Sequence, residues 1–253
     1  MSLRILEIDI ESIPHEAVSF GIWRQVISPK QITRFGYTMC FAAKWFGERD
    51  VMFHSVWDDG MDTMVRAAWD LLNEADAIVT YNGARFDTPM LNKEFLKHGL
   101  LPPEPYHQID LIKTVKREFR FPGGNSLDQV LRFLGMKQKM SHKGIELWIE
   151  CMNDDPKALK TMMRYNKNDV RIMESLYRKL LPWIKTHPNH ALYTDDTRPC
   201  CPKCGSRHLT RQGFKTTMTQ KYQQFKCMKC GSWLRQRTTS LAPDKREGVL
   251  VST

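Results

Sequence analysis

No apolar run in the sequence approaches the roughly 20 residues that a membrane-spanning helix requires, so we expect no membrane contact. The first ten residues, MSLRILEIDI, place acidic residues inside the apolar stretch, which is not the pattern of a secretory signal. Cysteine is scarce before residue 200, where only Cys40 and Cys151 occur, in apolar surroundings typical of inert core thiols. These absences argue against a membrane protein and against a secreted one, and we expect a cytoplasmic protein.

Acidic residues are scarce in the last quarter of the chain. Residues 191–253 contain 12 Lys and Arg against four Asp and Glu, whereas residues 1–190 contain 26 against 24. A basic appendage beside a nearly neutral body favours a polyanion partner, most often nucleic acid, over a merely solubilising tail. The hydrophobic content of 42% and the length of 253 residues allow one sizeable core plus an appendage.

Hydrophobic periodicity predicts the order of the elements. Strands are expected near residues 3–10, 36–46 and 50–57, with the last two joined as a hairpin, and a long helix from residue 155 to about 181. Strands first, followed by alternating helices and strands, indicate an α/β fold with a mixed sheet flanked by helices. The predicted domain organisation is a body of residues 1–185, a polar, proline-containing linker of residues 186–199, a small domain of residues 200–237 and a disordered tail of residues 238–253.

Two acidic residues, Asp9 and Glu11, stand at the end of the first predicted strand. Because side chains alternate across a strand, both point to one side, opposite to Leu6, Ile8 and Ile10. Neighbouring carboxylates repel each other, which raises a pKa or requires a cation. Taken alone, the pair has a simpler interpretation, which is an exposed strand end with two solvated acids.

A further acid lies on the apolar stripe of the long helix. Asp169 shares that stripe with Leu176, and Tyr165 lies one turn earlier on the same side. A carboxylate that faces a core is costly unless it is paired or bound to metal. The alternative here is an ion pair with Lys167 or Arg171.

Two more acids follow short predicted strands. Asp87 ends the segment NGARFD at the mouth of a helix, which we expect to begin with Thr88 as its N-cap and Pro89 in its first turn. The simpler role of Asp87 is to cap that helix, and Asp110 in HQIDLIK is expected to be mainly a structural cap. If the fold gathers the other four carboxylates in one pocket, they cannot all stay ionised without cations such as Mg²⁺ or Mn²⁺.

Three motifs in this order resemble the DEDD superfamily of 3′–5′ exonucleases, which has a ribonuclease-H-like fold. Asp9 and Glu11 in EIDIES match its first motif, D-x-E, and residues 82–87, NGARFD, match its second. YNKND, with Tyr165 and Asp169, matches the third motif in its tyrosine form. The chain therefore resembles the DEDDy branch, which includes family B polymerase proofreading domains and stand-alone nucleases.

The resemblance, which covers residues 3–182, implies two Mg²⁺ or Mn²⁺ ions that clamp the attacking and leaving oxygens of a phosphodiester. It implies that Asp9 bridges both ions, that Glu11 and Asp169 complete the site of the ion that binds the attacking water, and that Asp87 holds the second ion largely through water. Tyr165 would orient that water, since a phenol with a pKa near 10 is a poor base at pH 7.

The same resemblance implies that Asn82 and Phe86 shape the turn and flank the terminal nucleotide. The products would be nucleoside 5′-monophosphates. The histidine form of the third motif is absent, and His142, in a basic loop near residues 136–146, is a remote candidate for a substitute base.

Five cysteines fall between residues 200 and 230. Cys201-x-x-Cys204 and Cys227-x-x-Cys230 are separated by 22 residues, and each pair is followed by a glycine that lets backbone N–H groups turn toward the sulfurs. Four thiolates at this spacing indicate one closed, tetrahedral, structural Zn²⁺ site whose binding supplies folding energy. Cys200 is the spare cysteine and could act as a fallback ligand.

The segment between the cysteine pairs alternates basic, polar and aromatic residues as a β-ribbon would, and it resembles zinc ribbons of transposases and related DNA-binding proteins. Cations track phosphates and rings stack on bases, although at least two of the four rings are expected to form the ribbon's own core. Docking to a protein is the alternative role. The rings are Phe214, Tyr222, Phe225 and Trp233. The predicted nucleic-acid-binding residues of the ribbon are Arg207, Arg211, Lys215, Lys221, Lys226, Arg235 and Arg237.

The leading hypothesis is a metal-dependent 3′–5′ exonuclease that acts on single-stranded or 3′-ended nucleic acid, with DNA favoured over RNA, and holds its substrate with a zinc ribbon. One alternative is a structure-selective endonuclease on the same fold, because the acids alone do not fix exonucleolytic or endonucleolytic action. The other is a non-catalytic nucleic-acid-binding or recruitment module, which would leave the complete acidic set without a purpose.

Overall fold

A computed structural model describes residues 2–251, and these divide into two compact units: Arg4–Tyr177, and residues 2–3 together with 178–251. None of the helices within the described range is both long and apolar enough to span a bilayer. Within the tail that we predicted to be disordered, Pro243–Glu247 form a short helix, and residues 252 and 253 lie outside the described residues.

The strands of the first unit are β1 Ile5–Ser12, β2 Glu16–Ala17, β3 Ile32–Arg34, β4 Thr38–Trp45, β5 Met52–Ser55, β6 Ala77–Thr80 and β7 His107–Asp110. Its helices are α1 Val56–Asp59, α2 Met61–Glu74, α3 Asp87–Lys97, α4 Leu111–Glu118, α5 Leu127–Phe133 and α6 Ile145–Met152. The long helix α7, Pro156–Leu180, begins in the first unit and ends in the second. The second unit adds β8 Leu209–Thr216, β9 Lys221–Cys227, β10 Trp233–Arg235 and α8 Pro243–Glu247.

The first unit is built on a five-stranded mixed sheet in the order β5-β4-β1-β6-β7. β1 pairs antiparallel with β4, which forms the predicted hairpin with β5, whereas β1, β6 and β7 run parallel. The predicted α/β fold with a mixed sheet is therefore confirmed. Because parallel strands end at the same edge of a sheet, the carboxyl ends of β1, β6 and β7 bring the first motif, the NGARFD turn and Asp110 together.

Side-chain alternation along β1 separates an apolar face from an acidic one. Leu6, Ile8 and Ile10 pack against buried residues of α2 and α3, as predicted. The opposite side carries Asp9 and Glu11, together with Glu7, which is fully buried. One face of β1 therefore packs in the core, and the other face carries the acids of the candidate active site.

The long helix α7 begins and packs as its sequence predicts. The Asp155 carboxylate accepts hydrogen bonds from the backbone N–H groups of Lys157 at 2.8 Å and Ala158 at 2.9 Å, which caps the first turn. Leu176 is buried, and Asp169, on the same stripe, is only 2% exposed. The helix thus delivers a carboxylate into the interior of the first unit.

In the second unit, β8, β9 and β10 form an antiparallel three-stranded sheet in the order β10-β9-β8. The hairpin of β8 and β9 contains a register shift between Arg211 and Phe214, next to Gly213 in the left-handed region at a φ of 65°. This sheet confirms the predicted β-ribbon between the cysteine pairs.

Candidate active site and zinc centre

Three carboxylates from two distant segments converge at the carboxyl end of β1. Asp9 and Glu11 on β1 and Asp169 on α7 each offer an oxygen atom, and these atoms lie within 4.8 Å of one another. Three carboxylate oxygens at this separation suit a hard divalent cation such as Mg²⁺ or Mn²⁺. The fold therefore brings together three of the four acids that the motifs predicted.

Asp87, the fourth predicted acid, lies beside this group rather than within it. It is the first residue of α3, so the expected N-cap at Thr88 is wrong, because the helix begins one residue earlier than Thr88. The backbone N–H of Ile10 donates to Asp87 Oδ1 at 3.2 Å, which ties α3 to the end of β1. One oxygen of Asp87 is thus occupied by the backbone, and the carboxylate is 6% exposed.

The pKa values of these acids show that the site is crowded with negative charge. Burial raises the pKa of Asp9 well above its ordinary value, and the charges of the other three carboxylates raise it further. Burial, followed by the charge of Asp169, raises the pKa of Glu11 to about 8. Burial also raises the pKa of Asp87 to about 6, although the N–H of Ile10 opposes the shift. Without cations, this cluster cannot hold all its charges at neutral pH.

The side chain of Lys139 brings a positive charge into the cluster, and the sequence analysis did not predict it. Lys139, in the loop between α5 and α6, donates from Nζ to Asp169 Oδ2 at 2.5 Å and to the Tyr165 hydroxyl at 3.1 Å. Burial lowers the pKa of Lys139, but the charge of Asp169, its hydrogen bond to Lys139 and the charges of Tyr165 and Asp9 together outweigh burial and raise the pKa above its ordinary value. The ion pair that we gave as the alternative role of Asp169 is therefore present, but its partner is Lys139 rather than Lys167 or Arg171.

Tyr165 lies one helical turn before Asp169, as predicted, and is 6% exposed. Burial, followed by the charge of Asp169, raises its pKa to about 12. The His142 ring packs edge-on against the Tyr165 ring at 4.9 Å between centroids, and Trp148 lies at 6.3 Å from the same ring. His142 is thus near the site through a ring contact, while its role as a substitute base stays a prediction.

One unpartnered oxygen and one side-chain contact indicate whether the site suits a metal ion. Asp169 Oδ1 is buried and, among residues 2–251, has no hydrogen-bond donor. Asn166, a residue that sequence reasoning also missed, donates from Nδ2 to Asp9 Oδ2 at 2.7 Å and to the Asp9 carbonyl at 3.1 Å. The Asp169 oxygen without a donor can be stabilised by a bound cation instead. The Asp9 carboxylate beside it is held in one orientation by Asn166, as metal ligands commonly are. The residues of the site therefore fit a divalent ion.

The turn after β6 positions Asp87 and Phe86. Asn82 adopts a left-handed backbone with a φ of 69°, which asparagine tolerates better than most residues. Its N–H donates to Asp110 Oδ1 at 2.7 Å, and the N–H of Ala84 donates to Asp110 Oδ2 at 3.3 Å. Asp110 also caps α4 through the N–H of Ile112, so its predicted structural role is confirmed.

Two cavities of about 640 Å³ each lie near the acids. One is polar and is lined by Asp9, Asn82, Lys116, Asn125 and Lys139, among others. The other is mainly apolar, and its lining includes Pro14, His15, Phe86, His142 and Trp148. The predicted nucleotide-flanking residues Asn82 and Phe86 therefore lie in different cavities.

The four predicted zinc cysteines converge in the second unit. The sulfurs of Cys201 and Cys230 lie 3.6 Å apart, as do those of Cys204 and Cys227. A disulfide bond measures about 2 Å, whereas tetrahedral Zn²⁺ with bonds of about 2.3 Å separates its sulfurs by about 3.8 Å. All four sulfurs lie within 4.8 Å of one another, and Cys200 is not among them. The geometry therefore suits one closed zinc site.

Backbone N–H groups at the second cysteine turn favour the thiolate form of Cys227. Gly205 and Gly231, which follow the pairs, hold left-handed backbones with φ values of 66° and 79°. Burial raises the pKa of Cys227, but the N–H groups of Cys230 and Lys229, together with hydrogen bonds to the Cys204 and Cys230 thiols, outweigh it and lower that pKa to about 7. The predicted role of the two glycines in turning N–H groups toward the sulfurs agrees with this geometry.

The ribbon carries its basic and aromatic residues in pairs. Lys221 lies 4.2 Å from the centroid of the Phe214 ring, Arg235 lies 4.1 Å from that of Tyr222, and Lys226 lies 5.7 Å from that of Trp233. Phe214 and Trp233 are about half exposed, whereas Tyr222 and Phe225 are more buried. Arg211 and Lys215 are exposed on β8, Arg237 is exposed beyond β10, and Arg207 forms an ion pair with Asp196.

Comparison with known proteins agrees with this architecture. Residues 33–181, more than half of the chain, match the RNase_H_2 family of the RNase_H superfamily. That range includes Asp87, Tyr165 and Asp169 but begins after Asp9 and Glu11. A comparison with curated proteins found no match.

One solved structure shares this fold. The chain is similar to the family B DNA polymerase of the hyperthermophilic archaeon Pyrobaculum calidifontis, with 24% identity and a TM-score of 0.52 over 71% of this chain. That similarity covers 25% of the polymerase, so the chain spans about a quarter of its length. Trypanosoma brucei RNase D is 17% identical with a TM-score of 0.45, over 75% of this chain and 61% of that one.

Proposed function

The chain belongs to the RNase_H superfamily, and from its acidic site we propose that it is a metal-dependent 3′–5′ exonuclease of the DEDDy type. It would hydrolyse phosphodiester bonds of nucleic acid, with DNA favoured over RNA, and release nucleoside 5′-monophosphates. The observation that carries the proposal is the convergence of Asp9, Glu11 and Asp169, with Asp87 beside them, at one edge of the sheet. Membership in the superfamily supports nuclease activity.

The carboxylates suit two divalent ions of the Mg²⁺ or Mn²⁺ class. Asp9, Glu11 and Asp169 would hold one ion, and Asp9 with Asp87 would hold the other. Bound there, the ions would supply an activated water and stabilise negative charge on the phosphodiester oxygens. Asn166 would keep Asp9 in the orientation that this requires, because it binds the carboxylate and the backbone of the same residue.

Tyr165 and Lys139 would act on the water and on the carboxylates rather than as bases. With a pKa of about 12, the Tyr165 hydroxyl stays protonated at neutral pH, so it can orient a water molecule but cannot deprotonate it. Lys139 fixes that hydroxyl and Asp169 in one arrangement. Both residues therefore contribute position and charge.

The two cavities beside the acids would receive the 3′ end of the strand. The mainly apolar cavity, with Phe86 and Trp148 in its lining, has the character of a site for a base. The polar cavity, with Asn82 and Lys116, has donors and a cation for sugar and phosphate groups. We propose that the zinc ribbon binds the same nucleic acid through its paired cations and rings.

End-labelled single strands test this function. Wild-type protein with Mg²⁺ or Mn²⁺ should shorten a 5′-labelled strand stepwise, on matched DNA and RNA. Asp9→Ala should reduce the rate by at least about a hundred-fold, because we propose Asp9 as a direct ligand of the metal ions. Asp70→Ala, which removes an exposed acid on α2, is the matched control and should cleave normally.

Circular single strands separate this proposal from an endonuclease on the same fold, because only an endonuclease cuts a strand that has no end. Stepwise shortening of the linear strand with intact circles supports the exonuclease. Cleavage of circles assigns the site to endonucleolytic action. No cleavage of any strand, or equal cleavage by Asp9→Ala, would overturn the proposed function.

A further inference from the structure

Residues 18–35, which we name the aromatic loop, expose large apolar side chains between the first motif and β4. Phe20 is fully exposed, Trp23 is 81% exposed and Phe35 is 64% exposed. Ile22 and Val26 are also exposed. Aromatic rings held in water at these fractions are costly for a folded protein, which indicates a surface that binds a partner.

Hydrogen bonds at the base of the aromatic loop give it a defined form. The backbone N–H of Val18 donates to the Gln31 carbonyl at 2.9 Å, and Gln31 Nε2 donates back to the Val18 carbonyl at 3.0 Å. Ser28 caps a short 3₁₀ helix, Pro29–Gln31, with a capping box. The rings therefore lie on a loop whose ends are joined, because β2, just before the loop, pairs with β3 near the loop's end.

The charge of the aromatic loop indicates which kind of partner it would bind. No Asp or Glu occurs from residue 17 to residue 47, while Arg24 and Lys30 lie on the loop. Arg34 pairs with Glu16, just before the loop. Exposed rings interleaved with cations and free of acids suit a single nucleic acid strand, whose bases stack on rings while its phosphates meet cations.

The aromatic loop is continuous with the candidate active site. The chain passes from Glu11 to His15 within four residues, and His15 lines the apolar cavity beside the acids. The His15 ring packs edge-on against Phe35 at 5.8 Å between centroids. The cavity is therefore connected to the end of the loop through the contact between His15 and Phe35.

We propose that the aromatic loop is a second nucleic-acid-binding element, which stacks on unpaired bases of the strand whose 3′ end lies in the active site. The inference rests on the proposed function for the identity of the strand. Trp23 and Phe20 would contact bases away from the scissile bond, because they lie on the loop rather than in the cavity. The loop would raise affinity for strands of several nucleotides and leave the chemistry of very short substrates unchanged.

Binding of a 5′-fluorescein single strand of about 12 nucleotides, measured by anisotropy in the cleavage-deficient Asp9→Asn background, tests the inference. Trp23→Ala and Trp23→Leu should each weaken binding about ten-fold or more, the loss typical of one stacked base. Trp23→Phe retains a ring and should lose less than about three-fold. Leu96→Ala, an exposed apolar residue on α3, is the matched control and should bind as the parent does.

The outcomes distinguish the inference from the proposed function. Unchanged affinity in Trp23→Ala overturns the inference even if the wild-type protein shortens strands, and the proposed function then stands alone. Full affinity in Trp23→Leu overturns base stacking as the way in which the loop binds the strand. In the otherwise wild-type protein, Trp23→Ala should cleave a dinucleotide at the wild-type rate, and a comparable loss there would also contradict the inference. Loss of binding in a protein that cleaves no strand supports the loop and defeats the exonuclease.

Discussion

Lys139 places a positive charge in a site whose other ionisable groups are mainly acids. Its Nζ atom donates to Asp169 Oδ2, one of the carboxylates assigned to metal binding. In the absence of metal, this contact offsets part of the repulsion among the buried carboxylates. A divalent ion would take over that role, so Lys139 and the ion stabilise the same cluster.

Lys139→Met should therefore destabilise the metal-free protein more than the metal-bound one. The substitution keeps most of the side-chain volume but leaves Asp169 without its cation, which costs about 2 kcal/mol for a partly buried pair. The expected change is a decrease in Tm of several degrees in EDTA, measured by thermal denaturation, and a smaller decrease in saturating Mn²⁺. Lys137→Met, at an exposed lysine in the same loop, should change neither value. Equal decreases with and without Mn²⁺ would contradict the shared role.

At the residue scale, the sequence predicted the groups that stand in local motifs and missed those that arrive from elsewhere. Alternation and helical spacing predicted the faces on which Asp9, Glu11 and Asp169 lie, and the resemblance to the three DEDD motifs implied that these acids share one site. The Lys139 contact spans 30 residues of chain, and the Asn166 contact with Asp9 spans 157. No local period specifies such a pair, because the side chains meet only after the sheet and helices have packed.

At the scale of elements, the long and strongly periodic segments were predictable. The β4–β5 hairpin and α7 lie close to the predicted positions. The helix α6, Ile145–Met152, was not predicted, because it directly follows a segment whose charged residues and glycine are typical of a loop. The β2–β3 pair was missed as well, since strands of two and three residues carry too few alternations to give a pattern.

The ribbon is the element whose stability depends most on a bound ion. Cys204→Ser should reduce zinc content from about one ion per chain to near zero, unfold the β8–β10 sheet locally and weaken binding of a long strand about ten-fold, because the four thiolates supply its folding energy. Zinc content by mass spectrometry, amide signals of β8–β10 and strand affinity measure these effects. Hydrolysis of a dinucleotide should stay within about two-fold of wild type.

Cys200→Ser is the matched control, because Cys200 lies outside the four-sulfur group. It should retain zinc, ribbon signals and affinity. Zinc loss in Cys200→Ser, or full affinity in a zinc-free Cys204→Ser protein, would contradict the assigned ligand set or the role of the ribbon.

At the scale of the whole molecule, charge is divided between the two units. The first carries the acids that we assign to chemistry, and the second carries most of the basic excess. This division suits a substrate whose phosphates are neutralised over several nucleotides while one bond is cleaved. It predicts that long strands depend on both units and that short ones depend on the first alone.

Salt dependence tests this division directly. For a single strand, each phosphate that a cation neutralises contributes about 0.7 to the slope of log affinity against log salt concentration, because counterions are released on binding. Replacing Arg211 and Lys215 on the exposed β8 strand with glutamine should therefore reduce the slope by about 1.4. Replacing Lys97 and Lys113, exposed on helices of the first unit, is the charge-matched control and should leave the slope unchanged. A flat salt response in the wild-type protein would instead assign the ribbon to protein docking.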